Sequence, residues 1–230
     1  MWGNYNGIPR KTTTVLEGII AKVGKENVVY SKDCEIAVAY KDEGRYSETE
    51  GNYHDEALSR ASSSSSDGFD ASMFDDVDVI IYVGGLSPRL EGEEMRVTID
   101  GFKGGDRERI ELPEVQRDLI RAMHATGKPV VVVNCSGSAM AFGCREGQYD
   151  ALIQAWYPGQ GGSQALAEVI FGDHNPGGKL PVTFYASNDD LPDFLDYSME
   201  NRTYRYFRGV PQYAFGYGLS YTTFEVGKGK

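Results

Sequence analysis

Apolar positions recur along this chain with two periods. Between Thr12 and Val23 they fall at Val15, Ile19, Ile20 and Val23, the three-and-four spacing that gives a helix one buried stripe, with threonines able to cap its start. The same period returns over Pro113–Thr126, at Val115, Leu119, Ile120 and Met123, with Pro113 suited to a first helical turn and Gly127 to a stop. It returns again over Ser163–Phe171, at Leu166, Val169 and Ile170, closed by Gly172. Short unbroken apolar runs alternate with these helices. Val77–Val83 and Pro129–Asn134, the second holding four valines, predict buried strands. Ala151–Trp156 predicts a third, and Asn27–Tyr30, Ile36–Tyr40 and Leu180–Tyr185 predict shorter extended segments. This order predicts an α/β fold, a sandwich built on a mostly parallel sheet. Residues 42–70 are polar, contain the serine run Ser62–Ser66, and read as a surface insertion with a weak helix around Glu56–Ala61. Gly101–Asp106 reads as a flexible glycine-rich stretch, and Asp189–Phe224 as irregular loops with a final short strand.

Composition adds limits. The 230 residues, 40% hydrophobic and 25% charged, are enough for one sizeable core. The net charge of −11, with no basic run, repels a phosphate backbone and an anionic lipid surface, so neither nucleic acid nor membrane is an expected partner. No stretch has the eighteen or more apolar residues a membrane helix needs. The opening Met1-Trp2-Gly3-Asn4-Tyr5 has neither a basic start nor an apolar run, so no signal peptide is read. Cys34, Cys135 and Cys144 are an odd set without metal-ligand spacing, and His54, His124 and His174 are scattered, so no metal site, cofactor or disulfide framework is expected.

The candidate chemistry lies where strands end. Gly84–Met95 follows the Val77–Val83 run and carries Glu91, Glu93 and Glu94. In open α/β sheets the ligand crevice lies at the carboxyl ends of the strands, and carboxyls placed there are candidates for proton transfer. Cys135-Ser136-Gly137-Ser138 and Tyr157–Gly162 are further strand-end loops that would share that edge. Gly159–Gly162 precedes a helix, as a phosphate loop would, but G-x-G-x-x-G and a following Walker lysine are missing. Ser136 and Ser138 follow a strand without a nucleophile elbow, and adjacent Asp173 and His174 do not by themselves build a triad. Glycoside hydrolysis needs two carboxyls across the scissile bond, of which this loop offers one. Trp156, Tyr157 and the tyrosines near the C-terminus are available to stack on sugars.

Several ordered segments resemble one family. Gly84–Glu94, Gly105-Asp106-Arg107, Leu112-Pro113 with Gln116, Lys128–Ser138, Ala155–Gln160, Gly172–Phe184, Arg202–Phe207 and Phe215–Phe224 are together similar to the C-terminal α/β-sandwich domain of glycoside hydrolase family 3, of the β-glucosidase and β-xylosidase kind. The resemblance implies a three-layer sandwich with an about six-stranded sheet over residues 1–230, with residues 1–11 as a linker from an absent barrel. It implies retaining, exo-acting hydrolysis of β-linked oligosaccharides and glycosides. In that scheme a (β/α)8 barrel, outside this chain, supplies an aspartate nucleophile, and the sandwich domain supplies a glutamate acid/base a few residues before an Asp-Arg pair. Here the pair is Asp106-Arg107, and Met95–Gly104 stretches the spacing. The family's Glu-x-Glu pattern points to Glu93 as the acid/base, with Glu91 in reserve; Arg107 is expected to be structural. Without the barrel the chain is expected to be inactive, and the parent is expected in the periplasm or outside the cell. The alternatives are a non-catalytic carbohydrate-binding or scaffold module and an unrelated flavodoxin-like protein.

Overall fold

The computed structural model describes residues 7–32, 37, 69–91, 97, 99–104, 106–143 and 148–229. The first helix, α1 (Val15–Val23), starts at a capping box. Thr14 Oγ1 accepts from the Glu17 amide at 3.1 Å, and the Glu17 carboxylate accepts from the Thr14 amide at 2.6 Å. Hydrogen bonds from the Thr14 amide and then the Thr14 hydroxyl hold the Glu17 carboxyl below the usual carboxylate range. Gly24, at φ 89°, ends the helix with its amide on Ile20.

Three parallel strands form the sheet, in the order β1 (Ile80–Gly85), β4 (Val130–Cys135), β5 (Ala151–Gln154). Ile80 pairs with Val130 and Gly85 with Cys135; Val131 pairs with Ala151 and Asn134 with Gln154. Between β1 and β4 the chain makes a small antiparallel hairpin, β2 (Phe102–Lys103) with β3 (Asp106–Arg107), and then α2 (Glu114–Ala125). After β5 come α3 (Gly162–Ile170) and, late in the chain, the single turn α4 (Thr203–Tyr206).

The alternation of side chains along the strands makes three layers. Ile80, Tyr82, Val130 and Val132 point to one face and pack with Leu119, Ile120 and Met123 of α2, together with Leu112, Met140 and Phe142. Ile81, Val133, Cys135 and Ile153 point to the other, against Val15 and Ile19 of α1 and Leu166 and Ile170 of α3. The two outer helices of that face touch closely. A Cβ on Gly18 would lie 2.5 Å from the Ser163 carbonyl oxygen, so only glycine permits the approach.

The α/β class and the parallel sheet are as expected. The strand count is not: among the described residues the parallel sheet has three strands, not about six. Asn27–Tyr30 forms no strand, because Lys25–Asn27 closes a 3-10 turn and Asn27 Nδ2 caps the Val23 carbonyl at 2.8 Å. Leu180–Tyr185 reaches only one antiparallel bridge, Phe184 with Tyr213. β1 is also less buried than an interior strand: Val83 is 43% exposed, since α1 and α3 lie over β4 and β5. Within the glycine-rich stretch, Phe102–Lys103 and Asp106–Arg107 pair as antiparallel strands, and Gly104 takes φ 64°, a conformation glycine adopts freely. Ile36, the putting of residues 38–40 into a strand, the helix at Glu56–Ala61, residues 42–68 of the insertion, and Cys34 and Cys144 lie outside the described residues.

Candidate functional site

The loops after β1, β4 and β5 meet at the carboxyl edge of the sheet, and a buried amide fixes the first of them. Gln116 of α2, 1% exposed, accepts at Oε1 from the Gly85 amide and the Tyr82 hydroxyl, both at 2.8 Å, and donates from Nε2 to the Gly85 carbonyl at 2.6 Å. Gly85 takes φ +117°, and a Cβ there would lie 2.1 Å from the Cys135 carbonyl oxygen. That oxygen accepts from the Leu86 amide at 2.7 Å, so the chain stays attached to β4 as it leaves β1.

Residues 87–91 then make a turn. The Ser87 carbonyl accepts from the Leu90 amide at 2.8 Å and the Glu91 amide at 3.1 Å. Leu90 is buried in the core cluster, which leaves the half-buried Glu91 directed over the edge. Glu91 Oε2 accepts from the Gly137 amide at 2.8 Å and from the Tyr157 hydroxyl; Oε1 accepts from the Ser138 hydroxyl. One carboxylate thus joins the ends of all three strands. Glu93 and Glu94 lie outside the described residues.

The partners of Glu91 are themselves held. Arg107, delivered by β3, donates from Nη1 to Ser138 Oγ at 2.7 Å and to the Ala139 carbonyl at 2.9 Å, and from Nε to the Arg109 carbonyl at 3.1 Å. It therefore meets Glu91 through the Ser138 hydroxyl. Burial pushes the Arg107 guanidinium below its usual pKa, while the charges of Glu91 and Glu111 act in the opposite sense. Its Nη2 is buried without a hydrogen-bond partner. Burial, and next the bond to Glu91, push the Tyr157 phenol well above the usual tyrosine range.

Beneath these groups lies a second polar layer. Asn134 Nδ2 donates to Gln154 Oε1 at 2.7 Å and to Ser136 Oγ at 2.9 Å, and Ser136 Oγ donates to the Ser138 carbonyl at 2.8 Å. Ser136 is fully buried in this network, so it is committed to structure rather than presented as a nucleophile. Asp173 pairs with Lys22. Cys135 is a free thiol that burial pushes up, a setting that keeps it protonated. Trp156 packs edge-on against Phe184, with ring centres 6.1 Å apart. Among the described residues no group of three or more His, Cys, Asp or Glu side chains could hold a metal ion, and no helix is long and apolar enough to cross a membrane.

Of the residues singled out from sequence, Glu91, Arg107, Ser138 and Tyr157 come together. Gln116, Asn134 and Gln154 were not anticipated as site supports. Their signals are present, however: Gln116 interrupts the apolar stripe of a helix, and Asn134 ends a run of four valines.

Comparison with known proteins gives one consistent result. Residues 1–221 match the family described as Glycosyl hydrolase family 3 C-terminal domain. The chain is 60% identical over 154 residues to a xylan 1,4-β-xylosidase of Xylanibacter ruminicola, a match covering 67% of this chain and 18% of that protein. It is 34% identical over 235 residues to a periplasmic β-glucosidase of Salmonella typhimurium, covering 96% of this chain and 29% of that protein. The solved structure of a GH3 exo-β-xylosidase (XlnD), in complex with a xylobiose aziridine activity-based probe, superposes with a TM-score of 0.72 at 28% identity, over 96% of this chain and 26% of that one. The chain therefore spans less than a third of the length of these relatives.

Proposed function

The chain belongs to the glycosyl hydrolase family 3 C-terminal domain family, and on that premise we propose that it is the second domain of a retaining, exo-acting β-glycosidase of the β-glucosidase or β-xylosidase type. The parent removes terminal non-reducing sugars from β-linked oligosaccharides and glycosides. A (β/α)8 barrel supplies the aspartate nucleophile, and this domain supplies the general acid/base, Glu93 in first place and Glu91 in reserve. In this reading residues 1–11 are the linker from that barrel, and residues 42–70 are a polar, serine-rich insertion. The periplasmic relative supports a parent that works in the periplasm or outside the cell.

The observation that carries this reading is the convergence of three strand-end loops on the carboxylate-bearing segment, with Glu91 seated at the edge. In a retaining mechanism the acid protonates the glycosidic oxygen as the nucleophile attacks, and the same group then deprotonates the incoming water. The two carboxyls work at a separation of about 5–5.5 Å. Glu91 already accepts three of the roughly four hydrogen bonds a carboxylate can take, all from groups of its own domain, so it is turned toward the loops rather than toward a leaving oxygen. That favours Glu93, two residues further on.

Alone, the chain lacks a nucleophile and does not hydrolyse glycosides. The test is to assay aryl β-xylosides and β-glucosides with the chain alone, with a matching family barrel alone, and with the two combined. The expected outcome is turnover with retention only in the combination, abolished by Glu93→Gln. Turnover by the isolated chain would overturn the proposal. Tight sugar binding by the isolated chain, with no activity in the combination, would make it a carbohydrate-binding module instead.

A further inference from the structure

We infer that Glu91 is a positioning residue: it clasps the loop after β1 onto the loops after β4 and β5 and so fixes the root of the segment that carries Glu93. The catalytic meaning of this clasp rests on the reading of Glu93 as the acid/base; the clasp itself rests on geometry alone.

Three features set Glu91 apart from an acid waiting for substrate. First, its donors come from different places in the chain. Gly137, Ser138 and Tyr157 lie 46, 47 and 66 residues away in sequence, so the carboxylate joins elements that nothing local would bring together. Second, each donor is itself fixed. Ser138 Oγ accepts from Arg107 Nη1 at 2.7 Å. Gly137 is hemmed in, since a Cβ there would meet Tyr157 Cε2 at 3.0 Å and Glu91 Oε2 at 3.2 Å. Tyr157 follows Trp156, which sits at φ 55°, a left-handed conformation that a bulky residue adopts only under constraint from its surroundings. The strained residue turns the chain out of β5 and delivers the phenol to Glu91. Third, Glu91 is anchored from its own side by the buried Leu90 and by the hydrogen bond its amide donates to the Ser87 carbonyl.

Position is what such a clasp can give a general acid. Two residues of backbone reach at most about 7 Å, so whatever holds Glu91 limits where Glu93 can act. A misplacement of about 1 Å at a reacting group can lower a rate by about a hundredfold.

The isolated chain tests the clasp without any barrel. Glu91→Ala should raise amide hydrogen exchange at Gly137 by about 10- to 100-fold, the loss of a charge-assisted bond to a carboxylate. Exchange at Gly85, which is held by Gln116, should not change. Tyr157→Phe should raise Gly137 exchange less. Should Glu91→Ala fail to fold, Glu91→Gln keeps the shape, removes the charge and should give an intermediate rise. Unchanged exchange at Gly137 in a folded Glu91 variant would overturn the proposal. In the combination with a barrel, Glu91→Ala should lower kcat at all pH values without azide rescue, whereas Glu93→Ala should regain turnover with azide and form a glycosyl azide. Azide rescue of Glu91→Ala would overturn the positioning role, because it would make Glu91 the acid/base. Absence of any Glu93-dependent activity would instead overturn the function proposed above. The two failures are separable because the exchange measurement involves no barrel.

Discussion

The carboxyl edge of the sheet and the C-terminal stretch 187–229 solve the same problem in opposite ways. At the edge, polar side chains are buried and nearly all are paired, as in the Gln116 amide on Gly85 and the Asn134, Gln154 and Ser136 network. In the C-terminal stretch, large apolar side chains stand in water: Phe194 is 90% exposed and Tyr197 89%. That stretch is ordered mainly by polar hooks. Arg202 donates to the Ser198 and Asp193 carbonyls, the Arg208 amide donates to Asn201, and the Thr203 amide donates to the Tyr185 hydroxyl. Pairs of rings add to them, with Tyr204 stacked on Phe215 at 4.4 Å and Tyr185 edge-on to Phe207 at 4.9 Å. The lesson is that apolar character alone does not mark burial in this chain: paired polar side chains are buried at the edge, while large apolar side chains of the C-terminal stretch stay exposed.

Four measurements would break or sharpen that contrast. The largest effect belongs to Gly85→Ala. It puts a Cβ 2.1 Å from a backbone oxygen in a conformation only glycine adopts readily, and should cost about 3 kcal/mol or more in urea unfolding. Gln116→Ala comes next. It deletes three buried bonds and leaves the Gly85 amide and carbonyl without their partner, a loss of about 2–4 kcal/mol by the same measurement. Third, Tyr157 makes stability depend on alkaline pH. Its folded pKa is raised above that of the unfolded chain. Its contribution is therefore fully present below the unfolded value, about 10, and is lost as pH rises through the folded value. The urea midpoint of the unsubstituted chain should fall above pH 10, and less steeply in Tyr157→Phe. Least of all, Phe194→Ser, Leu195→Ser and Tyr197→Ser should each move stability by no more than about 0.5 kcal/mol. A large loss there would show that the aromatic stretch does stabilise the fold.

How far the sequence revealed this depends on whether the signal was local. Four valines in a row specify β4, and the repeat through Leu119, Ile120 and Met123 specifies α2, since each needs only its own neighbours in sequence. The buried stripe of α2 in fact begins at Gln116, not Val115. Periodicity of apolar residues passes over a polar side chain whose partners are on another element. Asn27–Tyr30 failed for a different reason: Lys25–Asn27 closes a 3-10 turn that a run of β-forming residues does not signal, and Tyr30 is 63% exposed. In the candidate site, the strand-end positions of Glu91 and Ser138 were legible, because the hydrophobic runs marked where strands stop. The bond from Tyr157 to Glu91 was not, because it spans 66 residues and depends on the backbone at Trp156 turning left-handed.

The seam where Gly18 meets Ser163 has a consequence for how the chain is made. Roughly 140 residues separate the end of α1 from the start of α3, and at about 5–20 residues per second a ribosome needs about 7–28 s to supply them. During that interval Val15 and Ile19 wait without the neighbour on α3 that covers them in the finished fold.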